Sequence, residues 1–370
     1  LLAYYLLTVV LGILSTASRF IDNSLVKSRR QPAIALLTRQ VSLKWNPFDF
    51  LVVSVLVAFS ALRFEVGTDY AAYASTFSRI QPQYWQETLA HSPQEFGYTV
   101  MTLALKLVSE SPRLLFWVTS ILTVVPIYVT IKKKSLDPTL SILLYVLLAF
   151  YVAPFNVIRQ GMAIGLNFWA STFLEKNKIA FCAINFVASL FHVSALLIAV
   201  IQLLIHRWRP GIRGLSVLLV LGIASAGLVT NVSALSDLVT LLNPRYESYL
   251  LENATGIGTF LVIAAKLALL SIAVYLTLGS NRSPYITYVA FGVVFLFLGT
   301  QALVLARIEG YFSIFLILLL PNALMEGHLA PKVRGVVEVL LLVMASVYFA
   351  VYLQNYGDLI PYKTIPSGIY

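Results

Sequence analysis

Four arginines, Arg63, Arg159, Arg245 and Arg307, each stand near the end of an apolar run. An arginine in hydrocarbon costs roughly 2.5–3.5 kcal/mol at the centre of a span and less toward its ends. Guanidinium forks fit phosphate oxygens two at a time and keep their charge at any physiological pH. Read as a set, the four describe an anion site assembled from distant parts of the chain. Read singly, each would snorkel to headgroups or pair with a nearby carboxylate, Glu65, Glu247 or Glu309.

Four ionisable groups are candidates for handling a proton: Asp69, Glu95, His192 and Glu309. Asp69 comes first because its loop, Arg63-Phe64-Glu65-Val66-Gly67-Thr68-Asp69-Tyr70, is the most polar of the set. Glu95, in Ser92-Pro93-Gln94-Glu95, also reads as part of a capping box for a helix over 96–109. His192 lies among apolar neighbours, where a histidine is more often a satisfied core residue than a catalyst. Glu309 is close enough in sequence to pair with Arg307.

Polar and aromatic groups suited to a sugar surround the arginines. Tyr70 and Tyr73 would share a helical face after the Gly-Thr-Asp turn. Asn156 and Gln160 flank Arg159, Tyr246 follows Arg245, and Tyr311 lies one turn beyond Arg307. Tyrosine joins an apolar plate to a hydroxyl, as a wet saccharide groove requires. An interfacial aromatic belt is the competing reading for each of them.

These residues sit in a chain of 370 residues that is 59% hydrophobic and only 11% charged. That balance excludes a soluble domain and describes an all-α polytopic membrane protein. Ten spans are expected, over 1–18, 48–62, 112–131, 139–154, 157–174, 214–231, 257–278, 284–303, 309–326 and 333–352. The first reads as a retained span, because no basic residue precedes it. Asn46-Pro47, Ser111-Pro112, Asp137-Pro138 and Ser283-Pro284 each place a polar cap before a proline, which marks a helix start. No internal repeat and no soluble domain is visible, so 1–370 reads as a single integral membrane domain. Cys182 is the single cysteine, so neither an internal disulfide nor a cysteine metal site is available.

Basic clusters orient the spans, and the net charge of +10 falls in short groups between apolar runs, which argues against nucleic acid. Lys27 to Arg39, Lys132-Lys133-Lys134, Lys176 with Lys178, Arg207 with Arg209 and Arg213, Arg282, and Lys332 with Arg334 are all assigned to the cytoplasm. Segment 96–109 then has no room to cross and becomes an outer interfacial half-helix. Segment 179–205 starts and ends on the same side, as a re-entrant hairpin of two dozen-residue halves meeting near Phe191-His192. Non-helical backbone at that depth must be buried in protein or line a wet cavity. A single long span over 179–205 is the alternative, and would invert everything downstream. The outer loops 63–95 and 232–256 would then form part of the site.

Taken in order, these segments resemble the EpsG family, polytopic polymerases of bacterial exopolysaccharide and capsule that are similar to Wzy-like O-antigen polymerases. The resemblance runs through Arg63 with Gly67-Thr68-Asp69-Tyr70 and Tyr73, then Glu95-Phe96-Gly97-Tyr98. It continues through Phe155-Asn156-Val157-Ile158-Arg159-Gln160-Gly161, Phe191-His192-Val193-Ser194-Ala195, Arg245-Tyr246, and Arg307 with Tyr311-Phe312. The family pattern usually reads Glu-Pro-Gly-Phe and places Pro after the histidine, so Phe96, Tyr98 and Val193 depart from it. The resemblance implies a GT-C-like glycosyltransferase of the bacterial cytoplasmic membrane with its site facing outward. Its donor and acceptor would be polyprenyl-diphosphate-linked oligosaccharides, with undecaprenyl diphosphate as the lipid. Its surroundings would be the lipid bilayer and a chain-length regulator of the same pathway. No Asp-x-Asp motif is present, so a metal-independent, cofactor-free inversion by single displacement is expected. The four arginines would grip the diphosphate, with Asp69 or His192 as the base. A polysaccharide ligase and a flippase for the same lipid-linked sugars are the competing functions.

Overall fold

A computed structural model describes residues 1–28, 45–228, 257–278, 283–301 and 303–364. Most of the basic stretch before Lys44, residues 232–256 with Arg245 and Tyr246, where an outer loop is expected, and Arg282 lie outside the described residues. The described chain is helical, with no strand among those residues. It divides into two compact units, Leu1–Leu196 with Lys332–Tyr370, and Leu197–Pro331.

The first unit opens with α1 (Leu2–Ser28) and α2 (Pro47–Ala61), followed by the short helices α3 (Tyr70–Arg79), α4 (Trp85–His91) and α5 (Phe96–Val108). Next come α6 (Arg113–Lys134), α7 (Pro138–Leu147), α8 (Ile158–Ala170), α9 (Lys178–Ser189) and α10 (Ser194–Ile205), which runs on past the first unit's limit. The second unit holds α11 (Ile212–Leu228), α12 (Ile257–Leu276), α13 (Pro284–Leu298), α14 (Leu303–Ser313) and α15 (Leu316–Glu326). The chain then returns to the first unit through α16 (Pro331–Asn355).

Local chemistry explains several of these boundaries. Asn46 caps α2 through its side-chain oxygen, and Asp49 returns a bond to the Asn46 amide at 2.8 Å, closing a capping box with Pro47 at the first position. Asp137 and Ser283 cap α7 and α13 by accepting the Leu140 and Tyr285 amides, each followed by proline. The Ser111-Pro112 pair acts one residue later than expected: Pro112 itself is the cap residue and α6 starts at Arg113.

Five stretches among the described residues are helical, long and apolar enough to cross a membrane: 2–22, 113–134, 258–276, 305–326 and 331–355. The other expected spans are shorter apolar helices among the described residues. Segment 139–154 is helical only to Leu147, because Ala149 turns into the left-handed region (φ 64°) and Pro154 sits in a 3-10 turn. The helix expected over 157–174 ends at Ala170. The expected span over 309–326 has a break at Ile314 and Phe315. Residues 96–108 form a 13-residue helix, about 20 Å long and too short to span. Segment 179–205 is two 12-residue helices broken at residues 190–193, where Phe191 and His192 stand.

At the expected cytoplasmic end, a buried polar network ties α1, α2 and α6 together. Lys132 reaches the fully buried Asp49 at 2.9 Å and also pairs with Asp22. Ser18 and Tyr128 each donate to the same Asp49 carboxylate at 2.6 Å. At the other end of α2, the C-terminal segment folds back as a strap. Phe64 donates to the Lys363 carbonyl at 2.9 Å and Gly67 to that of Asp358 at 3.1 Å. The Tyr362 ring stacks on Phe59, and its hydroxyl donates to the Phe59 carbonyl.

Lys132→Met leaves the Asp49 charge buried without a cation, a change worth about 3–5 kcal/mol when one partner of such a pair is removed. The thermal midpoint of the protein in detergent should fall clearly, while the exposed Lys332→Met should leave it unmoved. Gly67 adopts φ 99°, and a Cβ there would lie 2.6 Å from the Asn156 side-chain oxygen. Gly67→Ala should therefore destabilise by about 1–2 kcal/mol from the backbone alone, with the clash added. Limited proteolysis of the strap would report it.

Candidate functional site

The site grows from the way α5 begins. A helix leaves its first amide groups without internal partners, and those of α5 find one outside the helix. Gly97 and Tyr98 both donate to the Leu190 carbonyl, at 2.9 and 3.3 Å, at the break between α9 and α10. Only glycine permits this approach, because a Cβ on residue 97 would lie 2.6 Å from the Leu190 Cβ and 2.8 Å from its carbonyl oxygen. Glu95 precedes this contact by two residues and His192 follows it by two. The docking therefore sets the two side chains against each other.

Glu95 is the residue before α5 and makes no side-chain cap, which corrects the capping-box reading. Ser92 instead bonds Thr99 at 2.8 Å and receives the Gln94 amide. The Glu95 carboxylate is shared between two cationic or potentially cationic groups. One oxygen meets His192 Nδ1 at 2.9 Å and the other pairs with Arg159. All three side chains are largely buried, at 9% exposure for Glu95, 7% for His192 and 16% for Arg159. Arg159 has its carboxylate, but 64 positions away in sequence, not on a local neighbour.

Arg159 stands in the first turn of α8, where a cation opposes the helix dipole. The positive helix end and the guanidinium together favour an anion at this place. The guanidinium lies 5.9 Å from the Tyr98 ring centroid and hydrogen-bonds the Tyr73 hydroxyl. Tyr73 itself packs edge-on against Tyr98. Burial pushes the Tyr73 phenol up, Arg159 opposes that, and the charges of Asp69 and Glu95 add to it. Asp69, Tyr73, Glu95, Tyr98, Arg159 and His192 thus share one electrostatic cluster. Asp69 is half-buried at the start of α3, and Tyr70 beside it is buried flat on Phe116 at 4.5 Å.

The remaining candidates fall elsewhere. Arg63 is 3% exposed, sandwiched between the Phe116 and Phe155 rings at 4.8 and 4.4 Å, and donates to the Ser60 carbonyl. Among the described residues it has no carboxylate partner, and burial pulls its pKa down to about 10, which leaves it charged at neutral pH. A small, mostly apolar pocket beside it is lined by Ser60, Thr119, Val124, Tyr145, Pro154 and Ile158 among others. Asn156 serves the strap, donating to the Gly357 carbonyl at 3.2 Å, and Gln160 is buried in the first turn of α8.

Arg307 and the buried Tyr311 belong to α14 in the second unit. Glu309 pairs with Lys266 of α12, not with Arg307, since residues two apart on a helix face different ways. Lys266 was not singled out from sequence, although a lone charge inside the apolar run 257–278 was the signal. Arg245 and Tyr246 lie outside the described residues. Among the described residues, no three His, Cys, Asp or Glu side chains gather as metal ligands would.

Burial alone would raise the Glu95 carboxyl, but the His192 hydrogen bond and the Arg159 charge outweigh it and hold it below the usual 4.5. Its pairing therefore stabilises the fold above that pH, and the contribution is lost as pH falls through the lower folded value. Glu95→Gln should lower the thermal midpoint at pH 7, with the gap to wild type closing as the pH drops below 4.5. A gap that stays constant down to pH 3 or so would contradict the ion pairs.

Compared with known proteins, the chain matches no curated protein and no solved structure. The profile of the EpsG family matches residues 47–364, a stretch that includes Glu95, Arg159, His192 and the strap. An integral membrane protein with several long apolar helices, the chain belongs to the EpsG family.

Proposed function

We propose that the protein is a membrane glycosyltransferase that polymerises polyprenyl-diphosphate-linked oligosaccharides at the outer face of the bacterial cytoplasmic membrane. Membership of the EpsG family supports the polysaccharide-polymerase class. The observation that carries the chemistry is the sharing of one carboxylate, Glu95, between Arg159 and His192 beside two tyrosines. Such a cluster holds a permanent cation for a diphosphate, a carboxylate–imidazole pair for a proton and, in Tyr73, an aromatic plate for a sugar.

In this reading Arg159 and the N-terminal end of α8 bind the donor diphosphate, whose charge grows as it leaves. Preorganised cations at that position stabilise the transition state more than the ground state. A base takes the acceptor hydroxyl's proton while that oxygen attacks the anomeric carbon from the opposite face, and inversion follows. Tyr73, which is partly exposed, faces the donor sugar, and the buried Tyr98 backs both its ring and the Arg159 guanidinium. Arg63 is too buried to grip the ligand and adds a fixed positive charge beneath the site. The family resemblance keeps Arg245 and Arg307 as further candidates for a substrate's diphosphate.

Purified protein supplied with a lipid-linked repeat unit alone should build a ladder of polymer. A ligase, which needs a different acceptor, and a flippase, which makes no bond, would build none. Arg159→Ala should lower the rate by about 10²–10³-fold, the usual loss when one charge-stabilising donor is removed. A full-rate ladder from that variant would remove Arg159 from the mechanism.

A further inference from the structure

We propose that Glu95 occupies in the resting protein the place the donor diphosphate takes in the complex, and that this exchange turns it into the base. The inference rests on the polymerase reading above. Its grounds are geometric. One Glu95 oxygen is held by His192 at 2.9 Å and the other by Arg159, and all three side chains are largely buried. Arg159 projects from the first turn of α8, so an anion bound to it also meets the positive end of that helix. Carboxylate and phosphate oxygens compete for a guanidinium through the same paired hydrogen bonds.

When the donor arrives, its diphosphate replaces the Glu95 oxygen on Arg159. Glu95 does not leave, because the His192 contact fixes its other oxygen and the Gly97–Leu190 docking fixes its backbone. The carboxylate oxygen given up by Arg159 is then free to turn toward the face of the anomeric carbon opposite the diphosphate, with its lone pairs available to the acceptor hydroxyl that attacks there. As the acceptor oxygen bonds the anomeric carbon, the carbon–oxygen bond to the diphosphate breaks and its electron pair leaves on the diphosphate. The hydroxyl proton passes to Glu95, stabilised by His192. No metal, oxidant or further reactant enters the balance. The device also keeps the base masked until a donor is present.

Asp69 and Glu95 are thereby separated in role. Asp69 belongs to the same charge cluster through Tyr73, but neither His192 nor Arg159 is paired with it. It acts on the sugar side, and its loss should be partial.

The test measures binding and turnover separately. Undecaprenyl diphosphate without sugar is the probe for binding, titrated into wild-type, Glu95→Gln and Arg159→Ala protein in lipid nanodiscs. Removing the internal competitor should tighten binding by Glu95→Gln about fivefold or more, the usual scale of coupling between two ligands at one group. The same variant should form no ladder, and Arg159→Ala should lose the probe. Weaker probe binding by Glu95→Gln, or a ladder from it, would overturn the exchange while leaving the polymerase reading intact. A wild-type protein that forms no ladder would sink the polymerase reading itself. If Glu95→Gln fails to fold, Glu95→Asp replaces it: the shortened carboxylate should bind the probe more tightly and turn over more slowly, and the reverse pattern overturns the proposal.

Discussion

One carboxylate holds together three pieces of chain that are far apart in sequence. Glu95 comes from the segment between two short helices, Arg159 from the start of α8, and His192 from the break between α9 and α10. A guanidinium this deep in protein requires compensation, since an unpaired buried charge costs several kcal/mol. The pairing supplies it, and in doing so fixes where the α9–α10 break must lie. Several features of the first unit support that arrangement. Gly97 lets α5 dock on Leu190, Phe116 and Tyr70 stack beneath the cluster, and the strap closes over the loop from Arg63 to Gly67.

The charges divide by role. Lys132, Asp49 and Asp22 form a structural network in which the Ser18 and Tyr128 hydroxyls also donate to Asp49 Oδ1, and Lys266 with Glu309 ties two helices of the second unit. Arg63 is held by ring faces and a backbone carbonyl. Cation–π contacts contribute about 2 kcal/mol or more when desolvated, which explains how that charge is tolerated. The Glu95 cluster differs from these in being half composed of groups that can bind an anion or move a proton.

Much of this was legible in the sequence for a physical reason: hydrocarbon makes charged and polar interruptions expensive, so those that occur stand out. Arg159 and His192 were marked by that contrast, the break near Phe191-His192 by the basic residues on both sides of 179–205, and the Asn46-Pro47, Asp137-Pro138 and Ser283-Pro284 starts by a polar cap before proline. Partnership was not legible. Glu95 read as a cap because three-residue spacing from Ser92 is a local signal, whereas its real partners are 64 and 97 positions away. The early end of α7 was hidden because Ala149 gives no warning of a left-handed turn. Asn156 looked like a ligand group, yet its contact is to Gly357 in the strap, beyond the reach of any spacing argument. Lys266 was passed over inside a long apolar run, where its pairing with Glu309 depends on tertiary packing.

The most direct measurement is a cryo-electron microscopy structure of the protein in nanodiscs with undecaprenyl diphosphate bound. The account predicts diphosphate density on Arg159 at the N-terminal end of α8, with Glu95 still on His192 but withdrawn from the guanidinium. Diphosphate bound elsewhere, with the Arg159–Glu95 pair intact, would contradict it.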